Sequence, residues 1–160
     1  MIEIKDNYLD KELFARIKNL VLTSQNIPWF LQTNVSGEGL EEHSYFTHLL
    51  FANSRRNSNN FEDIVTPLFF VMGGRALIRA KLNLYPKTET LYHHKDHIDY
   101  DYEHKGAIFY LNTNDGYTVI GDTKVESVEN RLLRFDPTIP HHSTTCTDAN
   151  YRCNLNLNYY

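Results

Sequence analysis

The sequence has little that would cross-link the chain or hold it in a membrane. Only two of its 160 residues are cysteines, both late in the chain, so no disulfide framework is predicted and a reducing compartment is expected. The longest apolar run, residues 68–72, is far shorter than the roughly 20 residues of a membrane-spanning helix. The first ten residues are polar and lack the apolar core of a signal peptide. These absences predict a soluble, cytoplasmic protein without a membrane partner.

Positive charge is also scarce, because 16 Lys and Arg stand against 20 Asp and Glu, for a net charge of −4. An acidic chain has no overall field that attracts nucleic acid, so a nucleic-acid partner is not expected. Aromatic residues are plentiful, with 11 Tyr and 9 Phe, and such a composition favours sheets over helix bundles. The length suits one domain with its own core. Nothing in the sequence predicts the oligomeric state.

Two segments of the first half show helical periodicity. Apolar residues recur every three or four positions from Leu13 to Val21, after an aspartate, Asp10, that can cap the first turn. The same spacing returns over residues 61–72, where Pro67 predicts a kink. Residues 41–52 are interpreted as moderately helical, and their two histidines as surface or packing residues.

The second half is interpreted as a series of short strands. Residues 76–85 alternate, with apolar side chains on one face and a polar and aromatic set on the other. That second face consists of Arg79, Lys81, Asn83 and Tyr85, and it should meet solvent or line a polar pocket. Further strands are predicted at 97–100, 105–111, 117–120, 123–128, 131–135, 141–145 and 152–160. Short strands with turn residues between them predict a β-sandwich or small barrel behind N-terminal helices.

Two histidines and a carboxylate in this β-rich half match the ligand set that holds non-haem Fe(II) with open positions. His97 and Asp99 are two residues apart, so on a strand they would project from the same face. His141 begins a later strand, which an antiparallel body can bring back beside them. Metal ligation by these three residues is therefore the leading hypothesis.

The spacing alone leaves a competing set. His94 and Asp96 repeat the His-X-Asp pattern, and His142 competes with His141. We prefer the first set because Lys95 does not suit a buried position and residues 87–96 are predicted to form a loop. Adjacent strand residues point in opposite directions, so only one of the two neighbouring histidines can be a ligand.

The C-terminal tail alternates over residues 152–160. One face carries Arg152 and the asparagines at 154, 156 and 158, and the other carries apolar side chains. A planar guanidinium on an inner face suits bidentate capture of a carboxylate. A dicarboxylate that chelates iron at one end would then meet Arg152 at the other.

Taken together, these segments resemble the Fe(II)/2-oxoglutarate-dependent oxygenases, and most closely the prolyl-4-hydroxylase-like branch in the compact form often found in bacteriophage genomes. The motifs that carry the resemblance are His97-Ile98-Asp99, Ala107-Ile108-Phe109-Tyr110-Leu111-Asn112, Gly116-Tyr117-Thr118, Asn130-Arg131-Leu132-Leu133-Arg134-Phe135, His141 and Arg152. They occur in the family's order and spacing over residues 77–160.

The resemblance implies a mainly β (α+β) fold, a double-stranded β-helix or distorted jelly roll. Residues 1–160 would be one oxygenase domain, with helical support over about 1–75 and the β-helix core over about 76–160. The resemblance also implies roles for six residues. His97, Asp99 and His141 would bind Fe(II) as the catalytic centre, and Arg152, Tyr110 and Tyr85 would contact 2-oxoglutarate.

The implied reaction consumes O2, converts 2-oxoglutarate to succinate and CO2, and hydroxylates an unactivated C–H bond. Related halogenases have a small residue at the position of Asp99, so the carboxylate favours hydroxylation. The substrate, a peptidyl proline or a small molecule, is not predicted, and loops 35–60 and 87–96 would determine it. Two alternatives are a non-catalytic cupin-like metal-binding or structural domain and a zinc hydrolase that uses the same three ligands. Arg152 argues against the hydrolase, since hydrolysis needs no second carboxylate anchor.

Overall fold

The computed structural model describes residues 2–34 and 43–160 and consists mainly of antiparallel strands with two helices. The elements are β1 (Glu3–Lys5), α1 (Lys11–Leu22), β2 (Phe30–Gln32), β3 (Tyr45–Ala52), β4 (Arg55–Arg56), α2 (Phe61–Met72), β5 (Leu77–Pro86), β6 (Lys105–Tyr110), β7 (Tyr117–Ile120), β8 (Thr123–Glu126), β9 (Leu132–Phe135), β10 (His141–Ser143) and β11 (Tyr151–Tyr159). None of the described helices is long and apolar enough to span a bilayer.

The strands form two sheets. The large sheet has the order β1-β9-β6-β11-β5-β3-β2, with β4 paired to β3, and the small sheet has the order β10-β7-β8. A cluster of buried apolar residues joins β6 and β9 of the large sheet to β7 and β8 of the small one. Two antiparallel sheets closed over such a cluster form a jelly roll, so the predicted fold class is confirmed.

Both predicted helices are present and lie against the large sheet. Helix α1 starts where expected, because Asp10 Oδ1 accepts a hydrogen bond from the Leu13 amide at 2.9 Å. Helix α2 contains Pro67 and ends at Met72. Gly73 follows as its C-cap, and its φ of 67° is the left-handed conformation that glycine adopts without strain. Apolar side chains of both helices share one core with residues of β5, β6 and β11.

The prediction of a helix over residues 41–52 is wrong. Residues 45–52 form β3, which pairs with β2 and β5, and residues 41 and 42 lie outside the described part of the chain. Tyr45 and Thr47 on one face and His48 and Leu50 on the other are all buried, which removes the polar alternation that marks a half-buried strand. His48 is a packing residue, since its ring nitrogens contact the Pro28 carbonyl and the Ser58 hydroxyl at 2.8 and 2.7 Å.

Strand β11 lies between β5 and β6 and separates the helical core from the polar interior of the jelly roll. Its apolar face belongs to the core beneath the helices. Its polar face pairs with the polar face of β5, in the register Arg152–Tyr85, Asn154–Asn83, Asn156–Lys81 and Asn158–Arg79. The alternation predicted for both segments is therefore confirmed, and the two polar faces form one wall of an internal site.

Candidate metal centre and co-substrate pocket

The structure brings His97, Asp99 and His141 together. One possible ligand atom from each lies within 4.8 Å of the others, and no second cluster of this kind occurs in residues 2–34 and 43–160. His97 and His141 exchange both backbone hydrogen bonds at 3.0 Å, and their rings are 4.6 Å apart. The strand predicted over 97–100 is wrong, since only this isolated bridge forms there.

The two imidazoles are oriented by backbone carbonyls. Nδ1 of His141 lies 2.9 Å from the Ile139 carbonyl, so it carries the proton and donates it. Its Nε2 is then a bare lone pair, and this atom is buried without a hydrogen-bond partner among the described residues. Nδ1 of His97 lies 3.4 Å from the Lys95 carbonyl, an arrangement that presents Nε2 in the same way. Metal-binding histidines typically donate their other ring N–H to a backbone carbonyl or carboxylate in this way, which fixes the ring orientation.

Both oxygens of Asp99 are held by side chains that the sequence did not single out as its partners. Nη2 of Arg79 donates to Oδ1 at 2.5 Å, and Nδ2 of Asn158 donates to Oδ2 at 2.8 Å. Nδ2 of Asn158 also lies 3.1 Å from Nε2 of His104. The alternation of β5 and β11 predicted the face of Arg79 and Asn158, but no signal marked His104.

These contacts set the charge of the site. Burial opposes ionisation of Asp99, but Arg79 and Asn158 outweigh it and lower the pKa of the carboxyl to about 2. Burial, together with the neighbouring His141, lowers the pKa of His97 to about 4. At neutral pH the site therefore holds a carboxylate and a neutral imidazole, the forms that coordinate a cation. The orphaned Nε2 of His141 completes a donor set that fits Fe(II).

The competing histidines are directed elsewhere. His94 is buried against the rings of Tyr45 and Tyr85, with centroids 5.9 and 5.1 Å away. His142 points to the other face of β10, where Nδ1 contacts Asp96 at 2.6 Å and Nε2 contacts His93 at 3.1 Å. Neither belongs to the cluster of three.

A narrow cavity adjoins the three possible ligands. Its other lining residues are Tyr45, Arg79, Lys81, Asn83, Tyr85, Ile108, Ser143, Asn154 and Asn156. Its volume is about 30 Å³, room for about one water molecule, so a larger guest enters only when side chains move. A surface groove of about 720 Å³, lined partly by Tyr102 and Arg134, contains none of the three. Chemistry rather than size therefore identifies the site.

Arg152 is fully buried beside this cavity but does not line it. Nε donates to the Ser127 hydroxyl at 2.6 Å, Nη2 to the Thr118 hydroxyl at 2.9 Å, and Nη1 to the Thr144 carbonyl at 3.4 Å. A guanidinium has five N–H groups, so each terminal nitrogen keeps one. No carboxylate among the described residues forms an ion pair with Arg152, and a buried cation without a counter-charge favours a bound anion.

Tyr85 and Tyr110 surround this guanidinium, with ring centroids 5.3 and 5.7 Å from its central carbon. Tyr85 also lines the cavity, where it stacks on Tyr45 at 5.1 Å, a partner that the sequence did not indicate. The Tyr110 hydroxyl donates to Thr118 Oγ1 at 2.9 Å, and burial raises the pKa of its phenol. The structure thus places all three residues expected to contact 2-oxoglutarate next to one another.

Gly116 makes room for Arg152. A Cβ at this position would lie 2.7 Å from Cδ of Arg152 and 2.4 Å from the Thr145 carbonyl oxygen. Neither distance is compatible with a real methyl group, so the turn before β7 needs glycine to approach the guanidinium side chain.

No protein-family model matches the sequence, and none of the curated proteins matches it. Solved structures do match. An oxidoreductase of the 2OG-Fe(II) oxygenase family from Burkholderia pseudomallei is 17% identical, with a TM-score of 0.68 over 99% of this chain and 84% of that chain. A Trichoplax adhaerens prolyl hydroxylase, in complex with a hypoxia inducible factor peptide fragment, is 13% identical, with a TM-score of 0.64 over 99% and 83%.

A Pseudomonas putida prolyl-4-hydroxylase is 14% identical, with a TM-score of 0.64 over 99% of this chain and 91% of that chain. At such low identities the likeness establishes the fold. The resemblance that the sequence showed is confirmed at that level: this chain has the fold of the 2-oxoglutarate- and Fe(II)-dependent oxygenases and prolyl hydroxylases.

Proposed function

We propose that this chain is an Fe(II)- and 2-oxoglutarate-dependent dioxygenase that hydroxylates an unactivated C–H bond and releases succinate and CO2. The observation that carries the proposal is the convergence of His97, Asp99 and His141 in the ionisation states that bind a cation, inside an oxygenase fold. A buried guanidinium without a counter-charge beside the same cavity adds the second half of the site.

His97 and His141 would hold Fe(II) through Nε2, and Asp99 through its carboxylate. Three protein ligands would leave positions open on the metal for the co-substrate. When bound, the metal and 2-oxoglutarate supply the oxidising chemistry: O2 is consumed, 2-oxoglutarate loses CO2, and one oxygen atom enters the substrate. Arg79 and Asn158 would keep the Asp99 carboxylate in one orientation, because each of its oxygens already has a donor.

Arg152 would bind the distal carboxylate of 2-oxoglutarate through the N–H groups that it retains. Tyr110 and Tyr85 would flank that carboxylate and keep water away from it. A charge-assisted hydrogen bond is stronger in such a site than in solvent. The co-substrate needs more space than the cavity provides. Lys81 lines the cavity and has a flexible four-carbon stem, so we expect it to swing aside.

The substrate class comes from the relatives. Two of the similar structures are prolyl hydroxylases, and one of them holds a peptide fragment. A proline-containing peptide is therefore the first substrate to test, and small metabolites are the second. Hydroxylation rather than another oxidation is proposed because Asp99 fills the position that halogenases leave open.

We propose further that residues 1–160 act as one oxygenase domain, with helical support over about 1–75 and the β-helix core over about 76–160. The first part also supplies strands, since β1 and β3 belong to the large sheet. A cytoplasmic location is proposed because Cys146 and Cys153 are free thiols, as in a reducing compartment.

The test is release of labelled CO2 from 1-¹⁴C-2-oxoglutarate by protein supplied with Fe(II) and ascorbate, with and without a proline-rich peptide. Wild type should release CO2, and His97→Ala should release none. His142→Ala is the matched control, because this histidine neighbours a proposed ligand but faces away, and it should keep most of the activity.

Two outcomes would replace the proposal. If the protein binds Fe(II) but releases no CO2 with any substrate, the non-catalytic cupin-like domain is the better interpretation. If Zn²⁺ activates the protein rather than inhibiting it, the zinc hydrolase is the better one.

A further inference from the structure

Lys81 is a cation of the metal cavity that lacks a counter-charge. It lies on the polar face of β5, opposite Asn156 and two residues from Arg79. Arg79 is paired with Asp99, but no ion pair or hydrogen bond joins Lys81 to another side chain in the described parts of the chain. Its ammonium lies over the Tyr45 ring, whose centroid is 6.0 Å away. The proposed function has this side chain move aside for 2-oxoglutarate but gives its positive charge no role.

The position is unfavourable for a lone ammonium. Burial, reinforced by the positive charge of Arg79, lowers the pKa of Lys81 to about 8, although Asp99 acts in the opposite direction. Lys81 is half-buried. A charge held partly away from water without a partner costs free energy, and the lower dielectric strengthens its attraction to any anion that enters. The charged form of Lys81 should therefore be more stable when an anion is bound in the cavity.

Amide groups beside Lys81 can share such an anion. Nδ2 of Asn83 donates to Oδ1 of Asn154 at 3.0 Å, which leaves Nδ2 of Asn154 and Oδ1 of Asn83 buried without partners among the described residues. If both amides were turned over, the free NH2 would belong to Asn83 instead. In either orientation one NH2 group of this pair lacks a partner among the described residues, and both asparagines line the cavity. An ammonium and an amide N–H together match a carboxylate.

We propose that Lys81 and the Asn83–Asn154 pair form a carboxylate-binding subsite of the metal cavity, separate from Arg152. The inference rests on the proposed function, since it assumes that the cavity admits 2-oxoglutarate and a substrate. Two sources supply a carboxylate there: 2-oxoglutarate itself, or an acidic substrate whose carboxylate would hold its C–H bond toward the metal. The ammonium is a point charge on a flexible stem, so it can meet a carboxylate from either source after swinging aside.

The experiment is calorimetric titration of Mn(II)-loaded protein with 2-oxoglutarate, followed by titration of the Mn(II)–2-oxoglutarate complex with N-acetylglycine. N-acetylglycinamide is the uncharged probe of the same shape. The variants are Lys81→Met and Lys81→Gln, with Lys124→Met as the matched control, because Lys124 lies outside the cavity over the Tyr117 ring. Circular dichroism verifies that every variant is folded.

Two results would support the subsite. If the affinity for 2-oxoglutarate falls by about tenfold or more in both Lys81 variants, the bound carboxylate is that of the co-substrate. Unchanged 2-oxoglutarate affinity, together with N-acetylglycine binding that requires Lys81 and is absent for the amide, would assign it to the substrate. Lys124→Met should match wild type in both titrations.

The subsite is overturned if both Lys81 variants bind 2-oxoglutarate like wild type and no N-acetylglycine binding depends on Lys81. That result would leave the proposed function in place. Failure of the wild-type protein to bind 2-oxoglutarate with Mn(II) would instead overturn the proposed function and this inference with it.

Discussion

Replacing Lys81 with methionine should stabilise the metal-free protein at neutral pH. The pKa of this ammonium falls from its ordinary value of 10.5 to about 8 because the cavity wall removes part of its hydration and because Arg79 is close by. At about 1.4 kcal/mol for each unit, keeping Lys81 charged at pH 7 costs the folded state at most about 3 kcal/mol, because the side chain is half-buried and solvent screens part of the effect. Methionine has a similar length and no charge, so it should recover most of this free energy and raise the melting temperature by roughly 6–12 °C.

The gain should depend on pH in a definite direction. Between pH 8 and 10.5 the unfolded chain holds the Lys81 proton and the folded chain does not, so wild-type stability rises with pH in this window. The advantage of Lys81→Met should therefore shrink to under about 1 kcal/mol at pH 10. Urea unfolding of chelator-treated protein at pH 7 and pH 10 measures both values, with Lys124→Met as the control. A variant less stable than wild type at pH 7, or a gap independent of pH, would refute the reasoning.

Three further predictions concern the neighbouring residues. Arg152→Ala should weaken 2-oxoglutarate binding to Mn(II)-loaded protein by roughly 10- to 150-fold and leave the Mn(II) affinity nearly unchanged. If the variant bound 2-oxoglutarate as tightly as wild type, the role of Arg152 would be contradicted. Gly116→Ala should weaken the same binding and lower the melting temperature, because its methyl group would meet Arg152 Cδ at 2.7 Å. His97 has its pKa lowered to about 4, so metal-free stability should fall by about 3 kcal/mol as the pH drops from 6.5 to 4. His97→Phe should remove that drop in urea unfolding, and the same slope in both proteins would contradict it.

The sequence predicted the helices and strands that have one solvent-exposed or polar face. Periodicity located both helices, and alternation located β5 and β11 together with the polar wall that they share. The sequence also allowed the three possible metal ligands, His97, Asp99 and His141, to be identified, because their spacing and order are unusual in combination. Because neighbouring strand residues point in opposite directions, the sequence indicated that only one of His141 and His142 could be a ligand, and the structure shows that His142 faces away.

What the sequence could not predict depends on contacts between distant residues. Both faces of β3 carry buried side chains, so its polar alternation disappeared and helical spacing looked acceptable. The donors to Asp99 come from Arg79, 20 residues before it, and Asn158, 59 residues after it. His104 supports Asn158 through a contact that has no local signature. The exposed or buried state of Lys81 likewise depends on packing rather than on its place in the alternation.

The most direct test of the central claim is an anaerobic titration of metal-free protein with Fe(II) and 2-oxoglutarate, monitored by visible absorption. We predict a charge-transfer band that appears only when both are present, since the chelated co-substrate is its source. The band should be lost in His97→Ala and retained in His142→Ala. A folded wild-type protein without the band, or a band that survives loss of His97, would contradict the assignment of the metal centre.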